Sequence, residues 1–268
     1  MLRRFTQHFK AEPEKVKGLR DSHPAVVEAR TLFPSRVINA QDAANLLISG
    51  KNSRKIGNRV VKGAWKGMPV FTLTLEERAT CPRSCAVFNT CYGNSMPFPY
   101  RHRHGPALES RLDLELHKRA LRYKSGFVVR LHVLGAFYNP EYVRRWHRWF
   151  AEIPQLRVFG YTAYAPETAI GAEIVKLNQD YAGRCVIRFS TAWAQDQIKA
   201  PGILYAHTIA RSVETNSTIE GLICPVQTEK TAACGSCALC WSTEKNIVFM
   251  LHGQTGQKRV RRKAKTNG

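Results

Sequence analysis

Short apolar runs alternate with helical segments from residue 69 onward, and this alternation constrains the fold more than any other feature. Continuous apolar strands are typical of parallel sheets, because crossover helices cover the faces of such sheets. The sequence therefore predicts an α/β fold, either a partial or complete parallel (β/α) barrel or an open doubly wound sheet. We predict strands at 69–75, 127–134, 156–163, 185–190, 221–226 and 247–251, and helices at 40–48, 106–123, 140–150, 166–177 and 207–213.

Composition suggests three regions along the chain. Residues 1–68 are expected to form a basic, helical N-terminal arm with loops, and residues 254–268 a basic disordered tail. Between them, residues 69–253 are predicted to form an α/β metal–thiolate domain with cysteine-rich metal-binding loops. The charged N-terminus lacks the apolar core of a signal peptide, and no apolar run is long enough to span a bilayer. We therefore expect a cytoplasmic protein with no membrane partner.

Seven of the eight cysteines fall into two closely spaced groups. The first has the spacing C-x3-C-x5-C and the second C-x9-C-x2-C-x2-C. Reduced thiols at such spacings favour metal binding over disulfides. Four thiolates can complete the coordination of zinc or of an iron–sulfur cluster, whereas three leave one position open. The predicted ligands are Cys81, Cys85 and Cys91 in the first group, and Cys224, Cys234, Cys237 and Cys240 in the second.

Three alternatives remain open for these cysteines. The second group is also compatible with a structural zinc site that has no chemistry of its own. His102 or His104 would make a fourth ligand and close a zinc site at the first group. Cys185 lies within an apolar run, so we interpret it as a buried strand residue and not as a ligand.

The charge of the chain points to a polyanionic partner. Lys and Arg number 41 against 20 Asp and Glu, a formal net charge of +21. Without residues 1–20 and 258–265 the remainder still carries +11, so the excess is not confined to the tails. Nucleic acid is the expected partner, and the alternatives are an anionic membrane surface or a charge excess with no functional partner. The candidates for contact with phosphates and bases are Trp146, Trp149, Tyr161 and Trp193, although burial in the core is the commoner fate of such residues.

Candidate functional residues follow the predicted strands. In parallel α/β folds, catalytic and binding groups gather at the carboxyl ends of the strands. We assign catalytic roles there to His132, Tyr161 and Arg188. The residues that we assign to cofactor binding are Gly135, Ser190 and Gln227.

Several of these motifs resemble the phage and prophage gene product 88-like proteins, a group without a settled reaction. The resemblance covers roughly residues 50–253. It implies a phage- or prophage-encoded protein and makes position 136 a catalytic candidate, because the family usually has Gly-Asp-Phe where this chain has Gly135-Ala136-Phe137. The missing Asp, lost by natural drift or by engineering, would serve as general base, metal ligand, cofactor contact or turn cap. The matching motifs are Thr80-Cys81-Pro82, Cys91-Tyr92-Gly93, Val129 to Gly135, Phe159 to Ala163, and the second cysteine group with Trp241.

A looser resemblance is to radical S-adenosylmethionine enzymes. These enzymes have three cysteines after the first barrel strand, a glycine-plus-acid motif after the second, and often a C-terminal cysteine cluster. This chain has the same order of features, although its C-x3-C-x5-C spacing differs from their usual C-x3-C-x2-C and Ala136 replaces the acid. The resemblance implies 4Fe-4S clusters and an S-adenosylmethionine cofactor.

Three functions are therefore consistent with the sequence. The first is an iron–sulfur enzyme that modifies nucleic acid or nucleotides, in the manner of the radical S-adenosylmethionine enzymes. The second is a DNA or RNA hydrolase, a nuclease or glycosylase, with structural metal sites and an Asp lost at position 136. The third is a non-catalytic, metal-stabilised nucleic-acid-binding protein. The sequence does not determine whether the metal is iron or zinc, whether the nucleic acid is DNA or RNA, or what the oligomeric state is.

Overall fold

The computed structural model describes residues 18–192, 201–209 and 221–250. These residues contain strands β1 to β10 and helices α1 to α6, together with three short 3₁₀ helices at Pro34–Arg36, Gly50–Asn52 and Tyr92–Ser95. The strands are Val37–Ile38, Ile48–Ser49, Val70–Thr72, Arg101–His102, Phe127–Leu131, Leu156–Thr162, Cys185–Ala192, Tyr205–Ile209, Leu222–Ile223 and Ile247–Met250. The helices are Pro24–Val27, Pro106–Arg122, Pro140–Glu152, Ala169–Asp180, Cys234–Cys237 and Leu239–Ser242.

The core of the fold is a mostly parallel sheet of eight strands. Its order is β2-β3-β5-β6-β7-β8-β10-β9, and β2 alone runs antiparallel to its neighbour. A separate parallel pair is formed by β1 and β4. The predicted mixed α/β fold is therefore confirmed. A complete barrel is not: β2 and β9, two residues each, form opposite edges of the sheet, and no ladder among the described strands joins them.

The strands advance across the sheet in one direction from β3 to β8. Right-handed crossovers that all step the same way put their helices on the same face of the sheet. Helices α2, α3 and α4 accordingly pack in one apolar cluster with β5, β6 and β7, through residues such as Leu112, Trp146 and Ile174. The doubly wound alternative, which needs helices on both faces, is therefore wrong for this part of the chain.

Local signals in the sequence explain where these helices begin. Proline occupies the first turn of α2 and α3, where the missing N–H has no intrahelical partner. The Asn139 side chain caps α3 by accepting a hydrogen bond of 2.7 Å from the backbone of Tyr142, and Thr168 caps α4 in the same way. The predicted helices at 106–123, 140–150 and 166–177 are confirmed to within three residues at each end.

Two predicted helices are wrong. Residues 40–47 form turns that lead into the short strand β2. Tyr205–Ile209 form strand β8, which pairs with β7 and β10, and residues 210–213 lie outside the described part of the chain. A short apolar run fits either a helix or a strand, and pairing with β7 and β10 makes Tyr205–Ile209 a strand.

The face of the sheet opposite the helices is covered by the N-terminal region and the C-terminal cysteine segment. Trp65 and Trp241 stack with their ring centroids 5.2 Å apart, and they pack in one cluster with Val128, Phe159 and Val186 of the sheet. Residues before 69 thus contribute to the core, and the boundary at 68/69 stays a prediction. None of the described helices has the length and apolar character needed to cross a membrane.

Candidate functional site

The first cysteine group lies in the loop after β3, at the carboxyl ends of the parallel strands. Burial raises the pKa of Cys81 to about 12 and that of Cys91 to about 11, and the neighbouring cysteines of the group add to both effects. The pKa of Cys85 is raised as well, chiefly by burial. The three thiols are therefore neutral by themselves, and a bound cation would have to displace their protons.

A buried ion pair supports this loop. The Glu77 carboxylate and the Arg101 guanidinium are both fully buried and lie 2.8 Å apart. The hydroxyl of Thr31 donates to the same carboxylate at 2.7 Å. Arg78 is also buried and donates to the carbonyls of Phe88 and Arg30. These contacts tie the cysteine loop to the N-terminal segment, and the spacing of the cysteines gave no indication of them.

The second cysteine group lies on the short helices α5 and α6 and the loop after β9. Its four cysteines, Cys224, Cys234, Cys237 and Cys240, line one small cavity. Backbone hydrogen bonds from Cys234 to Lys55 and from Gly235 to Ile56 hold α5 against the N-terminal region. Part of the predicted loop is thus helical. All eight cysteines are in the described residues, and all are free thiols.

Tyr161 and Arg130 connect the sheet to the second group. The hydroxyl of Tyr161 donates to the Cys240 sulfur at 2.8 Å, and the Arg130 guanidinium lies 4.7 Å from the Tyr161 ring centroid. Burial first, and nearby Cys240 second, raise the pKa of Cys234 to about 12, and the positive charge of Arg130 opposes this rise. Arg130 was not among the predicted site residues, although an arginine within an apolar strand is a signal that would have identified it.

Strand β6 and the residues directly after it lie near both cysteine groups. Tyr161 bonds to Cys240 of the second group, as described above. Tyr164, three residues later, has a raised pKa, first because it is buried and second because Cys81 of the first group is nearby. Each cysteine group therefore has a member near the carboxyl end of β6 or the residues that follow it.

Arg188 holds the C-terminal segment in place. Its side chain is fully buried and donates to three carbonyl oxygens, those of Cys240, Thr243 and Lys245, at 2.6–3.0 Å. All three guanidinium nitrogens are used in this way. The arrangement favours a positioning role over direct contact with a substrate.

Gly135 and Ala136 lie against the start of the first cysteine loop. The backbone N–H of Ala136 donates to the hydroxyl of Thr80 at 3.0 Å, directly before Cys81. Gly135 has a φ of 79°, and a Cβ there would meet the Thr80 hydroxyl at 2.6 Å and the Leu75 Cβ at 2.7 Å. The structure thus places the backbone of position 136 beside Thr80, the residue before Cys81.

His132 lies on the helix side of the sheet. Its ring packs edge-on against Phe137 at 4.8 Å and its Nε2 is 3.3 Å from the Tyr142 hydroxyl. Burial first, and the positive charge of Arg130 second, lower its pKa to about 3, so the ring stays neutral except in strong acid. These neighbours belong to the helix-side core, which does not contain the two groups of predicted ligands.

The remaining candidates are dispersed. Ser190 is exposed on β7. Gln227 follows Cys224, and its side-chain amide makes two hydrogen bonds, of 3.0 and 2.9 Å, with the backbone of Met250. His102 is buried beside Glu115 and Leu46, and His104 packs against Tyr138 at 5.0 Å. Neither histidine therefore supports the alternative of a fourth ligand at the first cysteine group.

Two of the predicted base-contacting tryptophans are buried in the core. Trp146 is fully buried and Trp149 is 1% exposed, so neither can reach a nucleic acid. Both belong to α3 and lie on its buried, apolar face. Trp193 lies outside the described residues.

The cysteine side chains do not form a preassembled ion site. Within residues 18–192, 201–209 and 221–250, no three His, Cys, Asp or Glu side chains are arranged to hold a metal ion. The cysteines themselves suit a thiolate-bound metal centre, because both cysteine groups consist of free thiols and none of the eight cysteines forms a disulfide. Iron–sulfur and zinc ligation therefore stay predictions.

Comparison with known proteins gives no relative. No protein-family model, no curated protein and no solved structure matches this chain.

Proposed function

We propose that this chain is an iron–sulfur enzyme that acts on nucleic acid or nucleotides, on an incomplete parallel barrel. The observation that carries the proposal is that β6 and the residues directly after it lie near members of both free-thiol groups, Cys240 beside Tyr161 and Cys81 near Tyr164. The strand order, which advances in one direction from β3 to β8, supports the barrel-like part. The resemblances to gene product 88-like and radical S-adenosylmethionine proteins agree with it and add an intracellular, phage-encoded setting.

The residues have distinct roles in this proposal. Cys81, Cys85 and Cys91 would hold a cluster with one open position, and a 4Fe-4S centre there supplies one-electron chemistry, with S-adenosylmethionine as the cofactor. The second group would hold an auxiliary cluster. Tyr161 donates a hydrogen bond to one of its sulfurs, and Arg130 places a positive charge beside it. The net charge of +21 favours phosphate-containing substrates.

Anaerobic reconstitution tests the metal. We expect about four irons with matching sulfide for each cluster, and absorption and paramagnetic resonance spectra of an iron–sulfur protein. Replacing Cys81, Cys85 and Cys91 together by Ala should remove about half of the iron. Replacing Cys234, Cys237 and Cys240 should remove the other half. Cys185→Ala is the matched control, because Cys185 is buried and belongs to neither group; it should retain all of the iron.

Reductive cleavage of S-adenosylmethionine by the reconstituted protein tests the chemistry, and loss of the first group should abolish it. Stoichiometric zinc with no iron uptake would overturn the proposal.

A hydrolase is the second candidate, and the position of Ala136 favours it. Ala136 lies beside Thr80 at the first cysteine group, so a carboxylate at this position would be available there as a general base. Ala136→Asp should then produce cleavage of labelled DNA or RNA without a reductant. Ala136→Asn has nearly the same size and no general base, and it should stay inactive. Cleavage that requires reductant and S-adenosylmethionine would instead favour the first function.

A further inference from the structure

We infer that residues 51–66, which we call the basic segment, bind the phosphate backbone of a nucleic-acid duplex. Six basic side chains of this segment are exposed to solvent, namely Lys51, Arg54, Lys55, Arg59, Lys62 and Lys66. The sequence has no acidic residue between Asp42 and Glu76. The inference rests on the nucleic-acid part of the proposed function and assigns a binding surface to it.

The charge of the basic segment is not neutralised by its neighbours. Among the described residues, none of its six basic side chains forms an ion pair. Arg59 donates a hydrogen bond to the carbonyl of Gly67, which leaves its charge uncompensated. Residues 221–250, which pack beside the segment, contain two basic and two acidic residues and add no net charge.

The other face of the sheet has a different charge pattern. Helices α2, α3 and α4 together carry eight basic and seven acidic residues. Exposed arginines on that face are paired, as Arg144 is with two glutamates and Arg145 with one. The basic segment is therefore a local concentration of unpaired positive charge on the face opposite the helices, and a polyanion is the partner that suits it.

The backbone of the basic segment is held in a fixed conformation. The N–H of Val60 donates to Met68 at 2.9 Å, that of Gly67 donates to Val60 at 2.8 Å, and that of Val61 donates to Gly235 at 2.9 Å. The apolar side chains that anchor the segment to the core are Ile56, Val60 and Trp65. The segment therefore needs no folding step on binding, which lowers the entropy lost there.

The basic segment borders the second cysteine group. The N–H of Cys234 donates to the carbonyl of Lys55 at 2.8 Å, and the N–H of Gly235 donates to that of Ile56 at 3.0 Å. The two chain segments approach so closely that a Cβ on Gly57 would lie 3.1 Å from the Cβ of Ala233. A nucleic acid bound to the basic segment would therefore lie next to this cysteine group.

The basic segment is suited to phosphates and not to bases. Its one aromatic residue, Trp65, is 3% exposed and stacks on Trp241, so it cannot stack on an unpaired base, as the aromatic residues of single-strand-binding surfaces do. A duplex carries one negative charge for about every 1.7 Å of its axis, and cations bind it without any ring. Val61 is the only large exposed apolar residue within the segment, which is too little for insertion into a bilayer.

Fluorescence anisotropy of the full chain with a labelled DNA duplex tests the inference. Lys62→Gln with Lys66→Gln should weaken binding roughly 10- to 100-fold at about 0.1 M salt. It should also make the slope of log affinity against log salt shallower by about 1.8, because each phosphate contact contributes about 0.9. Lys51→Gln with Arg54→Gln should have the same effects. Lys62→Arg with Lys66→Arg keeps both charges and should retain binding.

Lys118→Gln with Lys176→Gln is the matched control, because both lysines are exposed on α2 and α4 and the same charge is removed from the opposite face. This variant should keep the salt slope of the unmodified protein. The inference is overturned if the basic-segment variants bind within twofold of this control. Tighter binding of a single strand, or of phosphatidylserine vesicles, than of the duplex would also overturn it.

Iron content and binding together separate this inference from the proposed function. Weakened binding by the basic-segment variants of a protein that takes up no iron supports the inference and rejects the iron–sulfur assignment. Normal iron, with duplex binding that these variants leave unchanged, rejects the inference alone. A protein that binds neither duplex nor single strand rejects both the inference and the nucleic-acid part of the proposed function.

Discussion

Gly135 is required for the backbone turn beside the first cysteine loop, although the sequence suggested it as a cofactor-binding residue. The sequence suggested cofactor binding, because Gly135 follows the second predicted strand. In the structure its φ of 79° and the closeness of Leu75 and Thr80 leave no space for a side chain. The glycine allows the chain to turn against the loop that carries Cys81, so it positions the first cysteine group whether or not it touches a ligand.

Replacement of this glycine should be strongly destabilising. Gly135→Ala adds the strain of a positive φ, about 1–2 kcal/mol, and an overpacking of about 1–3 kcal/mol. Gly183→Ala is the control, since Gly183 has a similar φ of 77° but no atom within 4 Å of its Cβ position. The Gly183→Ala variant should lose only the free energy of unfolding that comes from the positive φ, about 1–2 kcal/mol. Urea unfolding measures both, and equal losses for the two variants would disprove the close packing at position 135.

At the scale of elements, the loop after β3 depends on a buried ion pair rather than on regular structure. Glu77 and Arg101 come from the two ends of this loop, and Arg101 also binds the carbonyls that shape the Phe98–Tyr100 segment. Strands β1 and β4 form a separate pair of two residues each, which is too short to order such a loop by itself. The pair therefore joins the cysteine loop, the segment before β4 and the N-terminal segment.

Removal of one partner should unfold this element. Arg101→Met leaves Glu77 buried without a counter-charge, and we expect a loss of about 3–5 kcal/mol in the free energy of unfolding. The double variant Glu77→Gln with Arg101→Met should lose less than the sum of the single variants, because it leaves no uncompensated charge. Arg144→Ala, which removes an exposed pair with Glu141 and Glu173, should shift the urea midpoint far less. Additive losses at positions 77 and 101 would contradict the coupling.

At the scale of the whole molecule, the excess of positive charge opposes the compact state. The formal net charge is +21, and residues outside 1–20 and 258–265 carry +11 of it. Like charges on a folded surface repel, and added salt screens them within a Debye length. A bound polyanion would relieve the same repulsion, so charge links the stability of the molecule to the partner that we propose.

Salt should therefore stabilise the protein. Raising NaCl from about 20 mM to about 500 mM shortens the Debye length several-fold, and we expect Tm to rise. The paired variant Lys62→Gln with Lys66→Gln removes two exposed positive charges and should show a smaller rise. Glu167→Gln removes an exposed negative charge and should show a larger one. Scanning calorimetry measures all three, and a Tm that falls with salt would show that attractive surface pairs outweigh the repulsion.

Local patterns predicted most of the elements and few of the contacts. Helices α2, α3 and α4 follow from capping residues and a helical spacing of apolar side chains, which are local in sequence. Strand β8 was predicted as a helix, since its identity depends on pairing with β7 and β10. The support of the cysteine loop by Arg101 and Arg78 was also missed, because it joins residues that are far apart in the chain.

The sequence by itself determined the α/β class, the grouping of the cysteines and the charge, because composition, periodicity and spacing are properties of the chain. The tertiary structure decided that the sheet stays open among the described strands, that Trp146 and Trp149 are buried, and that Tyr161 and Tyr164 lie near different cysteine groups. These outcomes depend on which segments cover each face of the sheet, and that is determined by contacts between residues far apart in the chain.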